Sequence, residues 1–172
     1  NVPGLFDAGR LPGKPGIRVS SGRRLPEEGR ISGLARELAG IRRGLIVCGP
    51  MDEPGFAEAV TALSGRTGWP ILADPLSQMR SGEHGAACII EAYDAFLRDG
   101  AIAEALKPEL IVRFGAMPVS KPFLQYVERH RDARYLVVDT GGWREPSLLA
   151  GEMVFADPVL FCRLLADALD RT

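Results

Sequence analysis

From residue 30 onward, segments with apolar residues at helical spacing alternate with short, unbroken apolar runs. A strand buried on both faces of a parallel sheet has no polar side to show, so the runs read as strands and the spaced segments as helices crossing between them. The first run, Gly44 to Gly49 (GLIVCG), follows a segment suited to a helix over 30–43. Beyond it Pro54 stands where it can open a helix, and Phe56, Ala59, Val60 and Leu63 recur at i, i+3, i+4 and i+7. Further strands are expected at 69–74 (WPILAD), 109–114 (ELIVRF), 134–139 (RYLVVD) and 153–156 (MVFA), with a helix near 122–131. Ile89, Ile90, Tyr93, Phe96 and Leu97 supply the face of another helix, unless Cys88 to Ile90 begin as strand. Asp157-Pro158 pairs an N-cap with a first-turn proline ahead of Leu160, Leu164, Leu165 and Leu169, which predicts a last helix. Five or six short strands with right-handed crossovers give an α/β fold: a doubly wound, Rossmann-like parallel sheet with helices on both faces.

The first 29 residues break this pattern. Pro3, Pro12, Pro15 and Pro26, with six glycines, block regular helix and mark an interdomain linker over 1–29, leaving one domain over 30–172. The chain begins at Asn1 rather than methionine, as expected of a piece of a longer polypeptide. Through Arg30 the segment carries six basic residues against Asp7, Glu27 and Glu28, so a basic tether leads into an acidic domain, either solvated or docked on a neighbouring surface. The whole chain has a net charge of -1 and a pI near 6.2, which gives no electrostatic reason for nucleic acid. No stretch approaches the roughly 18 apolar residues of a membrane span and no signal pattern opens the sequence, so a soluble, cytoplasmic protein is expected. Cys48, Cys88 and Cys162 lie in apolar segments without CxxC spacing and read as buried thiols.

A nucleotide is the usual ligand of such a sheet, but the first strand is followed by Pro50-Met51-Asp52-Glu53-Pro54-Gly55. That turn lacks GxGxxG and places two carboxylates where a pyrophosphate needs bare N–H groups. Gly13-Lys14 is followed by proline and is no P-loop. In open α/β sheets the ligand meets the loops after the strands, and three such loops carry chemistry. The first, 74–82, is long and holds Ser77, Gln78 and Arg80 ahead of His84. The second, 113–122, runs from Arg113 to Ser120-Lys121-Pro122, where a helix start, a hydroxyl and one of only three lysines favour an anion, or where Ser120 simply caps and Lys121 is solvated. The third, 139–146, sets Trp143 and Arg144 beside two glycines, suited to stacking on a planar or anionic partner, or to packing under the loop. His84 and His130 have no partner arranged for a catalytic triad or a metal, so both read as loop or surface residues.

Five blocks then fall in a recognisable order: Gly44 to Gly49, Pro70 to Ser77 (PILADPLS), Ala92 to Leu97 (AYDAFL), Arg113 to Pro122 (RFGAMPVSKP) and Asp139 to Pro146 (DTGGWREP). In these the chain resembles the central domain of the 2-succinyl-5-enolpyruvyl-6-hydroxy-3-cyclohexene-1-carboxylate (SEPHCHC) synthase family, the thiamine-diphosphate enzymes of menaquinone biosynthesis. The resemblance covers roughly 40–150. It implies a three-domain subunit whose two outer domains bind thiamine diphosphate and Mg2+, assembled as a homodimer or homotetramer. The full enzyme decarboxylates 2-oxoglutarate and adds the resulting carbanion to isochorismate. The middle domain is then non-catalytic, with no cofactor or metal of its own, and the family's Gly-Asp-Gly metal motif is absent, since Asp99-Gly100 follows arginine. The lysine of the Ser-Lys step is implied to reach the substrate at the interdomain cleft, which makes Lys121, with Ser120 beside it, the first candidate. Arg80, Arg113, Arg144 and Trp143 follow, for substrate, a regulatory anion or a neighbouring domain. The alternative is a standalone nucleotide- or acyl-CoA-binding module on the same sheet.

Overall fold

The computed structural model describes residues 22–27, 29–82 and 88–171. In chain order the elements are α1 (Arg30–Leu38), β1 (Gly44–Cys48), α2 (Phe56–Thr67), β2 (Ile71–Ala73), β3 (Ile89–Ile90), α3 (Tyr93–Leu97), α4 (Gly100–Ala105), β4 (Leu110–Phe114), α5 (Lys121–Arg129), β5 (Arg134–Asp139), β6 (Glu152–Phe155) and α6 (Pro158–Leu169). The strands form one parallel sheet in the order β3-β2-β1-β4-β5-β6, so the doubly wound architecture expected from the alternation is present. The sequence order of the strands reverses between β1 and β4, where such sheets offer a crevice.

Strand alternation sends successive side chains to opposite faces, and each face has its own helices. Ile46, Cys48, Ile71, Val112, Phe114 and Val138 meet α1, α2 and α6 through Leu34, Phe56, Val60, Leu63, Phe161 and Leu165. Val47, Leu72, Ile111, Tyr135 and Val137 meet α3 and α5 through Tyr93, Leu97, Phe123 and Val127. Both faces being covered explains why the central strands are buried at every position, and why all but Arg113 of these positions are apolar.

Several boundaries differ from expectation for physical reasons. The first helix stops at Leu38 rather than 43, next to Ala39 and Gly40. The strand expected at 69–74 narrows to Ile71–Ala73; ahead of it Pro70 has no N–H for the ladder, and Trp69 lays its ring on Gly44, where a side-chain carbon would sit 2.0 Å from the indole. Ile89 and Ile90 are strand, and the helical face is left to Tyr93 and Leu97. The sequence pattern did not anticipate α4, whose inner face offers one buried residue, Ala103; its cap is Asp99, which accepts from Ala101 N and Ile102 N. The last helix is as expected, with Asp157 Oδ1 accepting from Leu160 N at 3.0 Å and Pro158 in the first turn.

Most of the linker expected over 1–29, and His84, lie outside the described residues. The described part of that segment is docked on the domain. Arg23 pairs with Asp157 at 3.1 Å, Arg24 O accepts from Asp157 N at 2.8 Å, and the Arg24 guanidinium stands 6.0 Å from the Phe155 ring centre. No helix among the described residues is long and apolar enough to cross a membrane.

Candidate functional site

The crevice between β1 and β4 is closed by the chain itself. Gly49 N donates to Phe114 O at 2.9 Å and Ala116 N to Pro50 O at 3.3 Å, so the two strand tips stay joined beyond the sheet. A side-chain carbon on Gly49 would lie 1.8 Å from Ala116 O; one on Gly115, whose φ is +74°, would lie 2.9 Å from Pro50 O. A small cavity of about 150 Å³ beside this seam is lined by Asp52, Glu53, Asp139, Thr140 and Arg144. Its carboxylates and its tight backbone suit no pyrophosphate.

The first and second loops meet on the other side of β1. Together with α3 they enclose an open cavity of about 420 Å³ lined by Asp74, Arg80, Tyr93, Asp94, Ser120 and Lys121, among others. Arg80 is anchored at its stem, Nε donating to Ala73 O at 2.9 Å. Ser120 has two jobs at once. Its Oγ caps α5 by accepting from Phe123 N at 3.1 Å, and its hydroxyl donates to Asp94 Oδ1 at 2.6 Å. That bond, and then the Arg98 fork at 2.8 and 3.1 Å, hold the Asp94 carboxyl below its usual range. Burial, with the Asp74 carboxylate next in weight, pushes the Tyr93 hydroxyl up to about 12, so it is a neutral donor at physiological pH. Lys121, exposed in the first turn of α5, has no ion-pair or hydrogen-bond partner among the described residues. The cavity therefore gathers the cations Arg80, Arg98 and Lys121 and a neutral phenol with the carboxyl groups of Asp74, Glu91 and Asp94, and Lys121 is the cation among them with no ion-pair or hydrogen-bond partner among the described residues.

The third loop is knit into the fold elsewhere, and none of its residues lines this cavity. Arg113 requires a correction: it was expected to face a ligand, but its side chain is 0% exposed. It shares the inward face of β4 with Ile111, under the third loop, where Nη2 pairs with Glu145 Oε2 and donates to Arg144 O, both at 3.1 Å. Its guanidinium lies 5.6 Å from the Tyr135 ring centre, and Glu145 in turn accepts from the Ser147 hydroxyl. Arg144 forks onto buried Asp139 at 2.7 and 2.8 Å, and exposed Trp143 donates from Nε1 to Glu145 O at 3.0 Å. These three residues hold the loop together and are not brought to Lys121. Sequence reasoning missed Asp74, buried in the first loop, and the Asp94 partner of Ser120. His130 is also buried, contrary to expectation, with Nε2 2.9 Å from Ala103 O against α4. The most apolar cavity, about 320 Å³ around Trp69, Phe96 and Leu106, opens at the amino ends of the strands and lacks convergent polar groups.

The strand order and the joined tips of β1 and β4 are those of a doubly wound α/β domain with an open cavity of mixed charge at its rim. The chain belongs to the thiamine-enzyme family described as "Middle domain of thiamine pyrophosphate", which it matches over residues 36–168. Among its curated relatives, the SEPHCHC synthase of Geobacillus thermodenitrificans is 51% identical over 151 residues, 87% of this chain and 26% of that protein. The SEPHCHC synthase of Chloroflexus aurantiacus is 46% identical over 154 residues, 89% of this chain and 26% of that protein. The chain thus spans about a quarter of the length of these relatives. Among solved structures, a thiamin diphosphate-dependent enzyme from Mycobacterium smegmatis superposes with a TM-score of 0.62 at 18% identity, over 90% of this chain and 30% of that one. Benzoylformate decarboxylase from Polynucleobacter necessarius gives 0.56 at 15% identity, over 92% and 30%; at these identities the likeness concerns the fold alone.

Proposed function

We propose that residues 30–172 are the non-catalytic middle domain of a SEPHCHC synthase, with 1–29 linking it to a preceding domain. The complete polypeptide, a cytoplasmic homodimer or homotetramer in menaquinone biosynthesis, decarboxylates 2-oxoglutarate and adds the four-carbon unit to isochorismate, with loss of carbon dioxide. Thiamine diphosphate and Mg2+ bind to the two outer domains and supply the carbanion chemistry. The residues after β1 do not fit a diphosphate, since Asp52 and Glu53 occupy the turn and Gly49 abuts Ala116 O. This domain provides a rigid support and one ammonium group.

The observation that carries the reading is Lys121, without an ion-pair partner among the described residues, at the start of α5 and lining the same open cavity as Arg80. Both substrates carry two carboxylates, and a charge-assisted bond to one is worth about 1.5–3 kcal/mol. In the complete polypeptide, Lys121→Ala should therefore lower kcat/KM for one substrate by roughly ten- to a hundred-fold, mostly through KM. Unchanged kcat and KM would reduce Lys121 to a surface residue. A complete polypeptide without carboligase activity would remove the assignment itself. The standalone nucleotide- or acyl-CoA-binding alternative predicts a higher melting temperature with flavin, NAD, adenine nucleotides or CoA; none of these is expected to raise it.

A further inference from the structure

We propose that Asp74 is the positioning residue for Lys121: one buried carboxylate that ties the first strand-end loop to the second and thereby sets where the ammonium stands. The proposal rests on the reading of Lys121 as a substrate contact.

Asp74 directly follows β2, and its side chain is fully buried. Its backbone continues the sheet, N–H donating to Cys48 O at 2.9 Å. Its carbonyl takes both the N–H and the hydroxyl of Ser77, at 3.0 and 2.7 Å, which closes the first loop. The two carboxylate oxygens then divide their work. Oδ1 accepts from Leu76 N at 2.8 Å, within its own loop, while Oδ2 accepts from Val119 N at 3.1 Å, 45 positions on. Val119 precedes the α5 cap Ser120, and Lys121 comes next. The start of α5 is therefore moored at two points, by Asp74 through a backbone N–H and by Asp94 through the Ser120 hydroxyl.

These moorings differ in stiffness. Asp94 is partly exposed and shares its charge with exposed Arg98, so solvent competes for it. Asp74 has no exposed surface, and a buried carboxylate stripped of a donor carries a large penalty, which makes the Val119 bond hard to open. Lys121 has no ion-pair or hydrogen-bond partner among the described residues, so the backbone that Asp74 holds sets the point from which its side chain reaches the cavity. A displacement of roughly 1 Å in a substrate-holding group costs up to about a hundred-fold in rate. Arg80 is moored separately, by Nε to Ala73 O, so its place in the cavity does not depend on the Val119 bond.

A structural role alone would not couple to Lys121, and a double-mutant cycle in the complete polypeptide separates the two. Asp74→Asn preserves shape but turns an amide toward one of the two N–H donors. It should raise KM for the substrate affected by Lys121→Ala, lowering kcat/KM about ten-fold, and should cost no further kcat/KM when added to Lys121→Ala. Val119→Pro deletes the donor while sparing Asp74 and its Leu76 bond, and it should reproduce the KM effect where Asp74→Asn fails to fold. If Asp74→Asn, or Val119→Pro in its place, costs as much kcat/KM on top of Lys121→Ala as it does with Lys121 intact, the proposal is overturned, as it is by a fall in thermal stability without a change in KM. If Lys121→Ala alone leaves KM and kcat at parental values, the substrate reading fails and the proposal with it.

Discussion

The seam between the β1 and β4 tips predicts that one methyl group will undo much of the domain. Gly49→Ala places a carbon 1.8 Å from Ala116 O and 3.3 Å from Phe114 O, both backbone atoms that no side-chain rotation can relieve. The tips must part by roughly 1.6 Å before ordinary contact, near 3.4 Å, is restored. That movement breaks Ala116 N to Pro50 O, already 3.3 Å, and strains Gly49 N to Phe114 O. An overpacked core costs about 1–3 kcal/mol, and a buried backbone group left unpaired about as much again, for a destabilisation of roughly 2–6 kcal/mol. In a domain of this size that lowers Tm by roughly 4–24 °C. Gly65→Ala is the control. It lies in the exposed interior of α2 with nothing within 4 Å of the added carbon, so it should gain up to about 1 kcal/mol from helix propensity. Urea unfolding followed by far-UV circular dichroism reads both. A Gly49→Ala chain within about 0.5 kcal/mol of the parent, a margin usual for harmless surface changes, would refute the closed-seam argument.

Two further predictions concern titrating groups. Burial raises the hydroxyls of all three tyrosines: Tyr93 to about 12, and Tyr126 and Tyr135 further. An unfolded tyrosine ionises near 10, so the stabilisation is whole below that pH and drains away as pH climbs toward 12 and beyond, the unfolded chain giving up protons that the fold retains. Absorbance at 295 nm should stay flat until circular dichroism reports unfolding; phenolate appearing near pH 10 in a still-folded chain would contradict this. Cys48 and Cys162 are buried and their thiols are raised by desolvation, whereas Cys88 is partly exposed. An aromatic disulfide reagent should label at most one thiol in the native chain and all three in denaturant; rapid labelling of two in the native chain would show the core to be open.

The fold was legible where one physical signal acted alone. GLIVCG could only be a strand covered on both sides, and Asp157-Pro158 could only open a helix. Legibility failed where tertiary context decided. Arg113 sits in an apolar run beside promising loop residues, yet the alternation that buries Ile111 buries it too, and its partner Glu145 lies 32 positions away. Ser120 was readable as a cap, but its second bond to Asp94 depends on how α3 packs against α5. Asp74 drew no reading from the sequence, because only the fold brings Val119 to its second oxygen. In α4 one small buried residue leaves too faint a stripe to read.

The packing of α1 beside α6 has a consequence for architecture. Ser32, near the start of the domain, and Arg171, at its close, line the same shallow depression, with Ala35 and Ala168 between them. The start of α1 and the end of α6 thus share one wall, whereas the segment ahead of α1 already crosses to Asp157 at the other end of α6. A circular permutant that drops this segment and joins α1 to α6 across the shared wall should keep its strand order.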